Sequence, residues 1–187
     1  MKQAICIILL GCSLVYGQRA KFIREDITIH LDGKRMFVEG YYWFVNPAPG
    51  PVDTEIFYPF PYRAGKAIDS VGVFDLNAGG RLVFKCEEQF GISFNLYIPP
   101  KDTTVLKIQY HQELNSDSAV YILRTTQGWA APLTQAEFKL VTPGNLKIVE
   151  FPWPPDKTYN LDDQLIYYWR KNEFMPDHDL VVRFRNR

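Results

Sequence analysis

The sequence predicts an all-β protein: an antiparallel β-sandwich of roughly 10–12 strands, with at most one short helix beyond its leader. Three observations predict it. Short runs rich in Val, Ile, Tyr, Phe and Thr follow one another along the chain, and Gly, Pro, Asn and Asp separate them at about 8–12-residue intervals. No segment sustains a helical period, and residues 162–171 are the only place where a short helix fits. Hydrophobic residues make up 47% of the 187, enough for a substantial core, so global disorder is excluded.

Element by element, residues 23–31 alternate, with Ile27, Ile29 and Leu31 on one face and Thr28 and His30 on the other. Asp32-Gly33 supplies a positive-φ hairpin turn, and residues 35–46 return as a strand in which Gly40 marks a bulge or kink. Pro47, Pro49 and Pro51 stop that ladder. Further strands are expected at residues 54–60, 67–76, 81–90, 92–98, 103–114, 119–126, 137–142, 146–151, 165–170 and 180–184. The cleanest alternation is in residues 103–114. There Leu106, Ile108 and Tyr110 should face the core, and Lys107, Gln109 and His111 the solvent, because a one-residue slip would invert both sets. The Pro-rich stretch Phe151-Pro152-Trp153-Pro154-Pro155 reads as a surface crossover. Nothing marks two domains, Gln127-Gly128 being the best candidate boundary, so residues 18–187 are taken as one sandwich.

Residues 1–17 read as a signal peptide: Lys2, an uncharged run over 4–16, then Gly17. The run is too short for a membrane-spanning helix, which takes about 20 apolar residues. Val15 and Gly17 fit cleavage before Gln18. Leu9-Leu10-Gly11-Cys12 offers the alternative of a lipobox that leaves Cys12 lipid-modified. The expectation is therefore an exported protein, periplasmic or extracellular, and membrane-anchored only if lipidated. Cys6 and Cys12 lie in the leader, so Cys86 alone remains and no internal disulfide can form. Alternation with Leu82 and Phe84 places Cys86 on a buried face as an inert thiol.

Lys plus Arg and Asp plus Glu each number 21, and a net charge of zero lacks the basic footprint of a nucleic-acid binder. Arg183, Arg185 and Arg187 alternate as a solvated strand face. Candidate sites are sparse. His30 and His111 fall on polar strand faces. The cluster Asp177-His178-Asp179 is the best metal candidate, two carboxylates flanking an imidazole, although turns favour Asp and Pro anyway. No Gly-x-Ser-x-Gly elbow or Ser-x-x-Lys occurs. Glu87-Glu88 and Asp162-Asp163 point to opposite faces of a strand and make poor glycosidase pairs. The aromatic clusters Tyr41-Tyr42-Trp43-Phe44 and Tyr167-Tyr168-Trp169 put large rings on both faces of their strands. One face is core, and the other could offer Tyr41, Trp43, Tyr167 and Trp169 as a binding platform.

The stretch Val38–Pro47 with its Asn46-Pro47 end, followed by Phe57-Tyr58-Pro59-Phe60-Pro61, resembles VIT-type domains and exported bacterial β-sandwich domains of unknown function. Across about residues 35–145 it is also similar to the β-rich N-terminal domain of HExxH-type aminopeptidases. The resemblance implies fold and location. The chain has no HExxH motif, so peptidase activity does not carry over. The sequence thus points to a non-catalytic extracytoplasmic module, needing no cofactor, that acts through protein–protein or cell-envelope contacts. A carbohydrate-binding module using the exposed rings is the alternative, and a metal site or hydrolase at Asp177, His178 and Asp179 the third reading.

Overall fold

The computed structural model describes residues 20–61, 68–87 and 90–186. The expected leader over residues 1–17, with Cys12, and also Glu88 and Arg187 lie outside these residues. Of the described residues 66% are strand and 4% helix, against an expected helical content under about 15%. Fourteen strands occur among them: β1 (Lys21–Leu31), β2 (Arg35–Val45), β3 (Val52–Pro59), β4 (Ile68–Asp75), β5 (Gly80–Arg81), β6 (Lys85–Glu87), β7 (Gly91–Ile98), β8 (Thr103–Glu113), β9 (Ser118–Tyr121), β10 (Leu133–Pro143), β11 (Leu146–Glu150), β12 (Lys157–Leu161), β13 (Gln164–Phe174) and β14 (Leu180–Asn186). A 3-10 helix, Arg124–Trp129, lies between β9 and β10.

One eight-stranded sheet runs β12-β13-β10-β1-β2-β8-β4-β5. Two three-stranded sheets, β3-β7-β6 and β11-β14-β9, form the second layer, and one hydrophobic core lies between. The fold is a sandwich. Its pairings are antiparallel except one: β1 and β10 run parallel, Ile27 opposite Phe138. That pair joins the two halves of the chain, and no local pattern announces it.

Local chemistry explains most turns. Asp32 Oδ1 accepts the Lys34 and Arg35 amides while Gly33 takes a φ of 91°. Asp75 Oδ1 does the same for Asn77 and Ala78. The fully buried Asn46 ties the proline turn down, donating to the carbonyls of Gly50, Ile98 and Pro99 and accepting the Ala48 amide. The Asn-Pro signature is thus an anchor for two loops.

Five expectations need correcting. Gly40 is not a bulge: β2 stays in register there with both Ile27 and Ile108, and the irregularity falls between Phe22 and Arg24. The glycine makes room, because a methyl at Gly40 would run into the Tyr42 ring and hydroxyl. Residues 81–90 are not one strand. The chain leaves β5, on the edge of the large sheet, and joins β6, on the edge of a small one, so the alternation that placed Cys86 inside does not apply and the thiol is exposed. The only described helix is at Arg124–Trp129; residues 162–171 instead turn at Asp162, φ 51°, into β13. The strand expected over residues 119–126 ends at Tyr121, because the chain turns into the 3-10 helix whose first amides Asp179 holds. Strand β12, not expected, has no alternation to read because all five of its residues are exposed.

Strand β8 behaves as its pattern predicts. Leu106, Ile108 and Tyr110 are buried, Lys107 and Gln109 are half-buried and His111 is exposed. Replacing His111 by Ala should change stability by under about 0.5 kcal/mol in a urea melt, as expected of a surface site.

Candidate functional site

The second layer covers one face of the large sheet. Among the described residues, the other face carries no such layer, and register turns it into rows of side chains. One row runs Arg170–Glu137–Asp26–Tyr41–Lys107 across β13, β10, β1, β2 and β8. The next runs Asn172–Gln135–Arg24–Trp43–Val105. A third, Tyr159–Ile166–Val141–His30–Phe37–His111, is largely apolar and aromatic.

Tyr41 and Trp43 are half-buried on this platform, their ring centroids 6.5 Å apart. Each ring faces a cation. The Arg24 guanidinium lies 4.6 Å from the Trp43 centroid and is held there by Asp26, at 2.7 Å, and by Glu137, at 4.0 Å. The hydrogen bond to Asp26 raises the Arg24 pKa further, so its charge is permanent. Lys107 Nζ lies 5.8 Å from the Tyr41 centroid and 2.6 Å from Glu39, whose carboxylate also accepts the Tyr41 hydroxyl at 3.4 Å. Farther along, Phe37 stacks on His111 at 4.6 Å and meets His30 at 6.0 Å. Partial burial lowers the His30 pKa, with Glu39 opposing, so the imidazole is neutral at neutral pH.

Tyr167 and Trp169 are elsewhere. Both face the core, 8% and 0% exposed, because β13 pairs Trp169 with Phe138 and Tyr167 with Leu140. The proline-rich crossover lies over them: Phe151 packs 4.8 Å from Tyr167 and 5.8 Å from Trp169, and the indole Nε1 donates to the Trp153 carbonyl at 3.0 Å. The platform ring from this triplet is the half-buried Tyr168. Three successive aromatics cannot reveal which of them faces out; that depends on the pairing with β10.

The acidic cluster separates too. Asp179 accepts the Leu123 and Arg124 amides at 3.0 and 3.1 Å, and its second oxygen takes the Arg124 guanidinium. Burial pushes its pKa up, but these bonds outweigh burial and hold it below the ordinary carboxylate value. It therefore fixes the start of the 3-10 helix. Asp177 pairs with His178 Nδ1, whose ring lies 4.8 Å from Trp153. No group of three metal-ligating side chains forms among the described residues.

No protein-family model matches this sequence, and no curated protein matches it. Solved structures do. A proposed nutrient-binding protein of Legionella pneumophila superposes with a TM-score of 0.72 at 13% identity, over 89% of this chain and 67% of that one. An M1 zinc metallopeptidase of Deinococcus radiodurans gives 0.53 at 8% identity, over 89% of this chain and 42% of the enzyme. A point mutant of that enzyme gives 0.52 at 9%, over 88% and 42%. The likeness is one of fold. It agrees with the β-rich resemblance read from the sequence, and in the peptidase this fold spans less than half of a longer chain.

Sequence reasoning missed a second set of residues, in the core. Glu25 is 2% exposed, and one of its carboxylate oxygens has no hydrogen-bond partner. Around it lie Tyr42 of β2, Tyr58 of β3 and Tyr121 of β9, with Tyr110 of β8 packed behind Tyr58. The Tyr42 hydroxyl is 2.9 Å from those of both Tyr58 and Tyr121. Burial pushes the Glu25 pKa up to about 8, opposed by the Tyr121 hydroxyl and assisted by the neighbouring Asp26 charge. A signal was present: alternation puts Glu25 on the face of Ile27, Ile29 and Leu31.

Proposed function

We propose that this protein is an exported, non-catalytic β-sandwich module that docks a protein partner of the cell envelope on the uncovered face of its large sheet. The supporting observation is the cation-faced pair Trp43 and Tyr41 at the centre of that face. Trp, Tyr and Arg are the residues that dominate protein–protein binding energy, and here they form one fixed network across strands. A sugar-stacking site needs free ring faces. On this platform Arg24 and Lys107 already lie over the two rings, which favours a partner that adds carboxylates, backbone carbonyls or further rings. Export rests on the leader at residues 1–17, with lipidation at Cys12 as the route to a membrane anchor.

The Trp43→Ala, Tyr41→Ala double variant tests this. It should keep its far-UV circular dichroism and bind solubilised envelope proteins at least about tenfold more weakly, the loss expected when a central anchor of over 1.4 kcal/mol goes. Unchanged protein binding together with lost retention on envelope polysaccharide would replace the docking reading with the carbohydrate one.

A further inference from the structure

The two small sheets share no ladder, yet their strands β9 and β3 send Tyr121 and Tyr58 to the same hydroxyl, that of Tyr42 on the large sheet. Directly beside this junction, at the register position opposite Tyr42, stands Glu25. We propose that the seam between the two small sheets is a pH-operated joint, closed while Glu25 carries its proton and opened when that proton passes to solvent.

The geometry leaves few alternatives for a charge at this position. Glu25 is flanked on β1 by Arg24 and Asp26, which pair with each other at 2.7 Å on the opposite face of the sheet; it is faced by Tyr42 from β2, by Tyr58 from β3 and by Tyr121 from β9, with Tyr110 of β8 behind Tyr58, and on β10 its neighbour is Ala136. The one other charge acting on it, Asp26, is of the same sign. Only the Tyr121 hydroxyl favours the ionised carboxylate, and it is already shared with Tyr42. An ionised carboxylate here is buried without a counter-ion, and burying an unpaired charge is far less favourable than letting water reach it. Water reaches Glu25 with the least disruption through the seam. There no backbone hydrogen bonds join β9 to β3, so parting them breaks side-chain contacts and opens to water the edge amides of both strands, those bonded to neither β14 nor β7, whose protection reports the opening. The large sheet, whose ladders pass through Glu25 itself, stays intact.

Amide hydrogen exchange read by mass spectrometry on the full mature protein tests the joint. If opening frees Glu25 to ionise, protection in β9 and β3 should fall about tenfold per pH unit between pH 5 and 8 and then level off. It should also sit at least about tenfold below the protection of β1, β2 and β8. In Glu25→Gln the pH slope of β9 and β3 should vanish. In Tyr121→Phe, which removes the one hydroxyl favouring the charge in the closed form, the levelling-off should move to higher pH; this variant carries the test if Glu25→Gln fails to fold. Three results would overturn the proposal. One is a flat pH profile in the wild-type seam, and another a slope that survives Glu25→Gln or a levelling-off unmoved in Tyr121→Phe. The third is protection in β9 and β3 equal to that of β1, β2 and β8, which means the whole molecule unfolds rather than the joint.

Discussion

Replacing Trp169 by Ala should destabilise the fold by about 3–5 kcal/mol, among the largest losses expected from a single side chain. The indole is fully buried, donates to the Trp153 carbonyl and packs on Phe151. Its removal leaves a large cavity beneath the proline-rich crossover and strips the carbonyl of its donor. For a chain of this length the midpoint of thermal unfolding should drop by roughly 6–20 °C. Tyr159→Ala, on an exposed edge, should change stability by under about 0.5 kcal/mol. Equal, small losses for the two variants would mean that the crossover does not seal the core over β13.

The second large effect is one of pH. Glu25 has its pKa raised from the ordinary carboxylate value to about 8 in the folded protein, so the native state holds a proton that the unfolded chain has released. Stability therefore falls as pH rises, beginning near the unfolded value of about 4.5 and ending near 8. Below that window both states are protonated and nothing is lost. Above it the accumulated loss is roughly 3–5 kcal/mol. Glu25→Gln carries no proton to lose, so its urea-denaturation free energy should lack this descending component. Relative to wild type it should gain several kcal/mol between pH 4.5 and 8, whatever constant offset the amide introduces. Parallel pH profiles for wild type and variant would show that Glu25 ionises in the folded state as easily as in the unfolded one.

These two residues also show what the sequence could and could not reveal. Period-2 alternation is a local signal, and wherever one face is apolar it was legible: β1 and β8 fall as their patterns require, with Glu25 readable as an intruder on the inner face. Trp169 carried no such signal. With Tyr167 and Tyr168 beside it, its direction depends on pairing with β10 more than twenty residues earlier, and β10 in turn lies parallel to β1 at the start of the fold. The same reason hid the exposure of Cys86, set by a chain that changes sheets, and the cations over Trp43 and Tyr41, which arrive from β1 and β8. Side chains assembled across ladders are invisible until register is known, and the platform consists entirely of such side chains.

Site-resolved photo-crosslinking tests the proposed docking role of this face most directly. A benzophenone side chain is placed at Tyr41, on the platform, or at Tyr97, which is 56% exposed on the small sheet β3-β7-β6, and each variant is irradiated in native envelopes. A discrete protein adduct is expected from position 41 and none from position 97. An adduct confined to position 97, or equal labelling from both positions, would rule out docking on the uncovered face of the large sheet.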